Sequence, residues 1–141
     1  MAGPASPTDA ARRYESELQS FYGSDELDVV RPLFDTVLMG LGPDGHTASL
    51  FPGYPAIEET ERWVVGVPEA HVAPFVPRVT LTLPPLNCCR EMLFEAAGAE
   101  KRAILTRVLA GENLPANRVR ATGETVWLLD RAALPENSRG Q

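Results

Sequence analysis

The spacing of apolar residues along the chain alternates between helical and extended patterns. From residue 7 to residue 22 the apolar positions recur at helical spacing. Ser6 followed by Pro7 is typical of a helix start, and Gly23 is typical of a helix end. We therefore expect a helix over residues 7–22, preceded by a short tail.

Short runs of apolar and β-branched residues predict the strands. The run from Phe34 to Met39 is typical of a strand buried on both faces. The segment from Arg78 to Leu83 alternates, which predicts a strand that buries Val79, Leu81 and Leu83 and exposes its threonines. Further elements are predicted as strands over residues 63–67 and 91–97, a helix over residues 99–110, a last buried strand over residues 126–129 and a polar tail. Strands that alternate with helices indicate an α/β fold.

Composition narrows the range of functions. With 141 residues, 44% of them hydrophobic and 23% charged, the chain fits one domain over residues 1–141 that can bury a core. A net charge of −6 and a pI near 4.9 argue against nucleic acid or an anionic membrane as partner. No apolar run approaches a membrane span, and the N-terminus lacks the apolar core of a signal peptide, so we expect a cytoplasmic protein. Cys88 and Cys89 are adjacent and are expected to be buried, and no cluster of ligands indicates a metal.

The chemistry is concentrated after the first predicted strand. Gly40, Gly42 and Gly45 surround Asp44, and His46 follows them. Glycines let the backbone turn sharply and approach a ligand closely. In open α/β sheets, ligands bind at the carboxyl ends of strands, which is where this stretch lies.

The segment also satisfies the pattern G-x-G-x-x-G of dinucleotide sites, but its context argues against that function. A dinucleotide unit needs a long helix after the third glycine. Here Pro52 and Gly53 stop any helix soon after Phe51, so only a helical turn from about His46 is expected. We reject the dinucleotide interpretation.

Residues 40–53 resemble the hallmark segment of the 6-phosphogluconolactonase family, which reads like Gly-x-Gly-x-Asp-Gly-His-Thr-Ala-Ser-Leu-Phe-Pro-Gly. Residues 78–87 are similar to the Arg-x-Thr-Leu-Thr segment of these lactonases, and residues 98–101 to a Gly-x-x-Lys that opens a later helix. The related glucosamine-6-phosphate deaminases carry a catalytic glutamate five residues after the histidine, where this chain has Phe51. The resemblance therefore favours a lactonase over an isomerase or deaminase.

The resemblance implies the C-terminal portion of a mainly parallel α/β sheet flanked by helices. Lactonases of this family also have an N-terminal half with a Gly-Gly-x-Thr-Pro-like phosphate loop and an Asp-Glu-Arg-like segment, and neither occurs here. We therefore expect an N-terminally truncated domain with an unpaired sheet edge and exposed apolar surface. Such a surface would support self-association or pairing with the missing half.

The resemblance also implies the site. Its substrate would be 6-phospho-D-glucono-1,5-lactone, hydrolysed to 6-phosphogluconate in the oxidative pentose phosphate pathway without metal or nucleotide. His46 would be the general base, kept neutral by a helix N-terminus, and Asp44 would orient it, although a turn aspartate that bonds its own backbone is equally expected.

Three further groups are expected at the substrate. Backbone N–H groups of residues 40–45, with Gly40, Gly42 and Gly45 as the binding glycines, would stabilise the oxyanion. Lys101 would bind the phosphate, and Arg78 would bind the phosphate or a hydroxyl group of the substrate. The alternative from another class is an inactive fragment that binds sugar phosphate without turning it over.

Overall fold

A computed structural model describes residues 6–136. The elements, in chain order, are helix α1 (Pro7–Tyr22), strands β1 (Phe34–Gly40), β2 (Val64–Val67) and β3 (Arg78–Leu81), helix α2 (Leu83–Asn87), strand β4 (Cys89–Ala96), helices α3 (Arg102–Leu109) and α4 (Pro115–Arg118), and strand β5 (Glu124–Leu129). Single turns of 3₁₀ helix cover Pro55–Glu58 and Ala99–Lys101. Residues 1–5 of the expected N-terminal tail and residues 137–141 of the expected polar tail lie outside the described residues.

The main sheet of the described chain is parallel, with strand order β1–β4–β5. Leu38 pairs with Leu93, and Leu93 pairs with Val126. On one face, side chains of these strands pack with those of α3 into the main core, where Met92, Phe94 and Leu105 are fully enclosed. The expectation of a mainly parallel α/β sheet is thus confirmed.

The prediction that β1 is buried on both faces is wrong, and so is the prediction that β5 is a buried strand. On β1, Met39 is buried, whereas Leu38 is 70% exposed. On β5 the residues alternate between exposed and partly buried. Both strands are edges of the sheet, and the face that carries Leu38 has no described element packed over it.

Helix α1 begins and ends where the sequence predicts. The Ser6 hydroxyl accepts a hydrogen bond from Asp9 N, and Gly23 closes the helix in the left-handed conformation with φ = 80°. The helix packs on the antiparallel hairpin formed by β2 and β3. Its buried face includes Glu15, which accepts hydrogen bonds from Trp63 N at 2.6 Å and from Arg62 Nε at 2.8 Å. That carboxylate ties the helix to the start of β2.

The predicted inward face of β3 is reversed. Thr80 and Thr82 are buried, while Val79 is 36% exposed and Leu81 is half-buried. The buried hydroxyls are satisfied locally, because Thr82 Oγ1 donates to the carbonyl oxygen of Arg62 and Thr80 Oγ1 accepts from Ser49 N. Hydrogen bonds to backbone groups therefore override the polarity of the two threonines.

Other predictions concern single segments. The helix predicted over residues 99–110 is divided into the 3₁₀ turn Ala99–Lys101 and α3. Cys88 and Cys89 are buried and free, and burial among apolar neighbours raises the pKa of the Cys89 thiol. No helix within residues 6–136 is long and apolar enough to cross a membrane.

Candidate active site

An open cleft of about 700 Å³ lies at the carboxyl end of β1. Because β1 and β4 are parallel, the segments that follow both strands meet at this edge of the sheet. The cleft is lined by Gly40, Leu41, Gly42, Pro43, His46, Thr47, Ala48, Val72, Ala73, Pro74, Arg78 and Lys101. Five of the seven residues predicted for the site are among them.

The segment after β1 contains no helix, which corrects the prediction of a helical turn from His46. Residues 47–50 form a tight turn in which Leu50 N donates to the carbonyl oxygen of Thr47, and Ala48 has φ = 50°. The Thr47 hydroxyl donates back to the carbonyl oxygen of Gly40 at 2.8 Å, so it fixes the turn to the end of the strand. Without a helix, no helix dipole acts on the His46 ring.

Asp44 instead determines which ring nitrogen of His46 carries the proton. Its Oδ1 lies 2.5 Å from His46 Nδ1 and accepts a hydrogen bond from His46 N at 3.1 Å. The sequence offered two roles for Asp44, a turn residue that bonds to the backbone and a residue that orients His46. In the structure the same oxygen does both. A carboxylate at Nδ1 favours the proton on that nitrogen and leaves the lone pair on Nε2. Nε2 has no partner among residues 6–136 and is not enclosed, so it is the ring nitrogen that is open to the cleft.

The hydrogen bonds to Asp44 also determine its charge. Burial raises the pKa of this carboxyl group, but the hydrogen bonds from the ring and backbone of His46 together lower it by a larger amount. The pKa of Asp44 therefore lies below its ordinary value. Its second oxygen, Oδ2, is enclosed and has no partner among the described residues. Asp44 is therefore ionised at neutral pH and lies behind the histidine, away from the cleft lining.

The glycines shape the loop but do not all line the cleft. A Cβ on Gly42 would overlap the His46 ring, so only glycine lets the ring lie there. Gly45 has φ = 86° and faces Leu114 outside the cleft. Gly42 N donates to the carbonyl oxygen of His46, and Gly45 N to that of Gly42. The two N–H groups are thus committed within the loop, which corrects their predicted role at the oxyanion.

Phe51 forms the floor beneath the histidine. Its side chain is fully buried, and its ring centroid lies 4.7 Å from that of His46 at an angle of 49°. An apolar ring in this position restricts the imidazole and supplies no carboxylate next to it.

Arg78 lines the cleft from the first residue of β3. Its guanidinium lies 5.7 Å from the Phe51 ring centroid, and Nη2 donates to the carbonyl oxygen of Pro74 at 3.1 Å. The arginine therefore holds the loop that precedes its own strand against the cleft.

Lys101 reaches the cleft from the turn after β4. Its Nζ donates to the carbonyl oxygen of Leu41 at 2.5 Å, which connects the segments that follow β4 and β1. Both predicted phosphate-binding cations thus lie on the cleft, and both donate to backbone carbonyl groups.

The wall formed by Val72, Ala73 and Pro74 was not predicted from the sequence. The signal was the length of the connection, since ten residues join β2 to β3 although the two strands pair as a hairpin. Hairpin loops usually have about two to five residues, so this connection is longer than the pairing of the two strands requires. Within residues 6–136 no group of acidic, cysteine and histidine side chains is arranged to hold a metal ion.

Comparison with known proteins places the fold and the glycine–histidine loop in a family. Residues 1–127 match the family described as glucosamine-6-phosphate isomerases/6-phosphogluconolactonase. The chain is 42% identical to 6-phosphogluconolactonase of Rattus norvegicus over 134 residues, which are 92% of this chain and 50% of the relative. It is 41% identical to 6-phosphogluconolactonase of Streptomyces coelicolor over 135 residues, again 92% of this chain and 50% of the relative.

A solved structure agrees. The crystal structure of 6-phosphogluconolactonase from Thermotoga maritima superposes with a TM-score of 0.70 at 37% identity, over 85% of this chain and 50% of that one. The chain thus spans about half the length of the curated relatives it matches. On the family match and these identities, the chain belongs to the glucosamine-6-phosphate isomerase/6-phosphogluconolactonase family.

Proposed function

We propose that this chain carries the general-base portion of a 6-phosphogluconolactonase. The reaction would be hydrolysis of 6-phospho-D-glucono-1,5-lactone to 6-phosphogluconate, in the oxidative pentose phosphate pathway and in the cytoplasm. The observation that carries the proposal is the Asp44–His46 pair, which holds Nδ1 and leaves Nε2 open to a cleft. Relatives named 6-phosphogluconolactonase at about 40% identity support the same chemistry.

In the proposed mechanism, His46 Nε2 takes a proton from a water molecule as its oxygen attacks the lactone carbonyl. Asp44, ionised behind the ring, stabilises the imidazolium that forms. When the tetrahedral intermediate collapses, the bond from the carbonyl carbon to the ring oxygen breaks, and the imidazolium returns the proton to that oxygen. The product is the open-chain acid, which ionises in water.

The phosphate would be bound by Arg78 and Lys101, the cations among the described residues that line the cleft. Lys101 Nζ donates to the Leu41 carbonyl oxygen, and both residues line the cleft. A phosphate dianion is a stronger acceptor than a carbonyl group, because charge-assisted hydrogen bonds are about twice as strong as neutral ones.

The test is hydrolysis of freshly prepared 6-phosphogluconolactone by the purified chain, measured against the spontaneous background. The chain offers a matched control, since its other histidine, His71, lies on an exposed loop and does not line the cleft. We expect His46→Ala to abolish turnover and His71→Ala to retain it. Equal activity of wild type and His46→Ala would remove this histidine from the mechanism.

A second candidate function is binding of a phosphorylated sugar without turnover. It is favoured by the two cations that line the cleft, Arg78 and Lys101, and by the half-length match to the relatives. Binding of 6-phosphogluconate by a folded chain with no lactone hydrolysis above background would support it.

Deamination of a sugar phosphate is disfavoured by Phe51, which lies where the resemblance implies a glutamate in the deaminases. Since the residue is a fully buried aromatic ring against the histidine, no acid is available there. Release of ammonia from glucosamine 6-phosphate by this chain would contradict the lactonase proposal.

A further inference from the structure

Thr47 is a buried polar residue that the proposed mechanism does not use. It follows His46 directly and belongs to the lining of the cleft, yet it is only 1% exposed. Its hydroxyl donates to the carbonyl oxygen of Gly40, the last residue of β1, at 2.8 Å. Buried hydroxyl groups usually have a hydrogen-bond partner, so the existence of this bond does not by itself indicate a role in a reaction.

The place of the bond in the loop does indicate one. It joins the two ends of the loop over residues 40–47, which carries the histidine. Inside that loop, Gly42 N donates to the carbonyl oxygen of His46 at 2.8 Å, and the His46 ring occupies the space that a Cβ on Gly42 would need. The hydrogen bonds of Asp44 also stay within the loop. These contacts orient the ring relative to the loop, and they do not fix the loop to the strand.

Other hydrogen bonds tie the loop to the rest of the fold. Lys101 Nζ donates to the carbonyl oxygen of Leu41 near the start of the loop, and Ala116 N donates to that of Gly45, just before the histidine. The bond from Thr47 lies on the other side of the histidine in sequence and reaches β1. Loss of the Thr47 hydroxyl would therefore release the segment that follows the histidine while the other ties remain.

We propose that Thr47 is a positioning residue, whose hydroxyl fixes His46 relative to the end of β1 so that Nε2 meets the water molecule that attacks the lactone. The inference rests on the proposed function, which gives the histidine its place in the reaction. Misplacement of a reacting group by about 1 Å can lower a rate on the order of 100-fold. Arg78 and Lys101, proposed to bind the phosphate, lie in other segments, on β3 and in the turn after β4. Loss of the hydroxyl should therefore lower kcat and leave KM nearly unchanged.

The experiment compares two substitutions of Thr47 with a matched control. Thr47→Val keeps the shape of the side chain and removes the hydroxyl, whereas Thr47→Ser keeps the hydroxyl. Thr82→Val is the control, because Thr82 is also fully buried and its hydroxyl also donates to a backbone carbonyl oxygen, that of Arg62, but neither residue lines the cleft. With 6-phosphogluconolactone, we expect Thr47→Val to lower kcat at least about tenfold and to keep KM within about threefold. Thr47→Ser and Thr82→Val should keep kcat within about threefold of the wild type.

Hydrogen exchange of the Gly42 amide tests the inference without turnover. The bond from Gly42 N to the His46 carbonyl oxygen should open more often once the hydroxyl no longer closes the loop. We expect Thr47→Val to speed exchange at Gly42 about tenfold, the loss expected for one buried hydrogen bond. Thr82→Val should leave Gly42 within about twofold, even where both variants speed exchange at the buried Met92 of β4 by lowering global stability.

The outcomes separate this inference from the proposed function. Circular dichroism checks that all variants fold. Wild-type kcat in Thr47→Val, an equal change of Gly42 exchange in Thr47→Val and Thr82→Val, or a loss of activity in Thr47→Ser as large as that in Thr47→Val would overturn the positioning role. A wild-type chain without turnover would contradict the proposed function instead. Exchange at Gly42 then decides the role of Thr47, since faster exchange in Thr47→Val alone supports it and unchanged exchange overturns it.

Discussion

At the scale of single residues, the site depends on the short spacing between a carboxylate and a histidine. With one residue between them, Asp44 reaches both the backbone N–H and the ring Nδ1 of His46 through one oxygen. The absence of a side chain at Gly42 leaves space for the ring. The tautomer of the histidine is thus determined by local sequence and does not require a helix dipole.

We predict that Asp44→Asn changes that tautomer. An asparagine can donate its amide N–H to Nδ1, which moves the ring proton to Nε2 and removes the base from the cleft. The ¹⁵N chemical shifts of the two ring nitrogens measure this directly, whether or not the chain turns over substrate. In an active preparation, kcat should fall on the order of 100-fold or more.

The ¹³C chemical shift of the Asp44 carboxyl carbon tests the charge of the wild-type carboxylate. Because the pKa of Asp44 is lowered in the folded chain, this shift should remain that of a carboxylate as pH falls below the ordinary aspartate value of about 3.8 and change only as pH passes through the lowered pKa. Asp35→Asn, at a 91% exposed side chain on β1, is the control and should leave the ring shifts unchanged. Equal ring shifts in Asp44→Asn and wild type would contradict the assignment.

At the scale of elements, one buried carboxylate holds α1 to the β2–β3 hairpin. Burial raises the pKa of Glu15, but hydrogen bonds from Arg62, Trp63 and Val64 together lower it by a larger amount. Its pKa therefore lies below the ordinary 4.5. A lowered pKa means that the contribution to stability is present above the unfolded-state pKa and is lost as pH falls through the folded-state value.

We predict that Glu15→Gln lowers the free energy of unfolding at pH 7 by about 2 kcal/mol, because a charged acceptor of several hydrogen bonds is replaced by a neutral one. Urea unfolding followed by circular dichroism at pH 7 and at about pH 3.5 measures it. The difference from wild type should shrink at the lower pH, because below the ordinary 4.5 the unfolded chain binds a proton at Glu15 that the folded chain binds more weakly. Glu17→Gln, at an exposed position of the same helix, is the control. A difference that grows with acidity would contradict this account.

The elements show which parts of the fold could be predicted from sequence. Helix α1 was predicted from its ends, because capping depends on neighbours in sequence. The inward face of β3 was not, because Thr80 and Thr82 bond to backbone groups of segments that come near only in the folded chain. The helical turn expected after His46 is absent for a similar reason, since the Thr47 hydroxyl bonds to Gly40 and closes a tight turn instead.

The cleft positions of Arg78 and Lys101 came from the family resemblance, while their bonds to Pro74 and Leu41 required the tertiary structure.

At the scale of the whole molecule, the sheet is covered on one face and open on the other. The apolar run of β1 predicts burial on both faces and that of β5 predicts a buried strand, yet Leu38 and Leu128 are exposed in this chain. Sequence pattern reports the burial that a residue type favours, and it does not identify which polypeptide provides the cover. A net charge of −6 opposes the association of two copies, whereas the exposed apolar side chains Leu38, Val126 and Leu128 favour it.

We predict that salt changes the balance between these two forces. The Debye length is about 10 Å at 0.1 M salt and about 3 Å at 1 M. Repulsion between Glu91, Glu95 and Glu124 of two copies is therefore screened at high salt, while apolar attraction remains. Sedimentation velocity should show a monomer at roughly 0.1 M NaCl and an increasing dimer fraction towards 1 M. Leu38→Asp should suppress the dimer, whereas Leu109→Asp, at a 54% exposed position of α3, should not. If association instead decreases with salt, attraction between opposite charges holds the copies together. That result would contradict the prediction, because Glu91, Glu95 and Glu124 of two copies carry like charges.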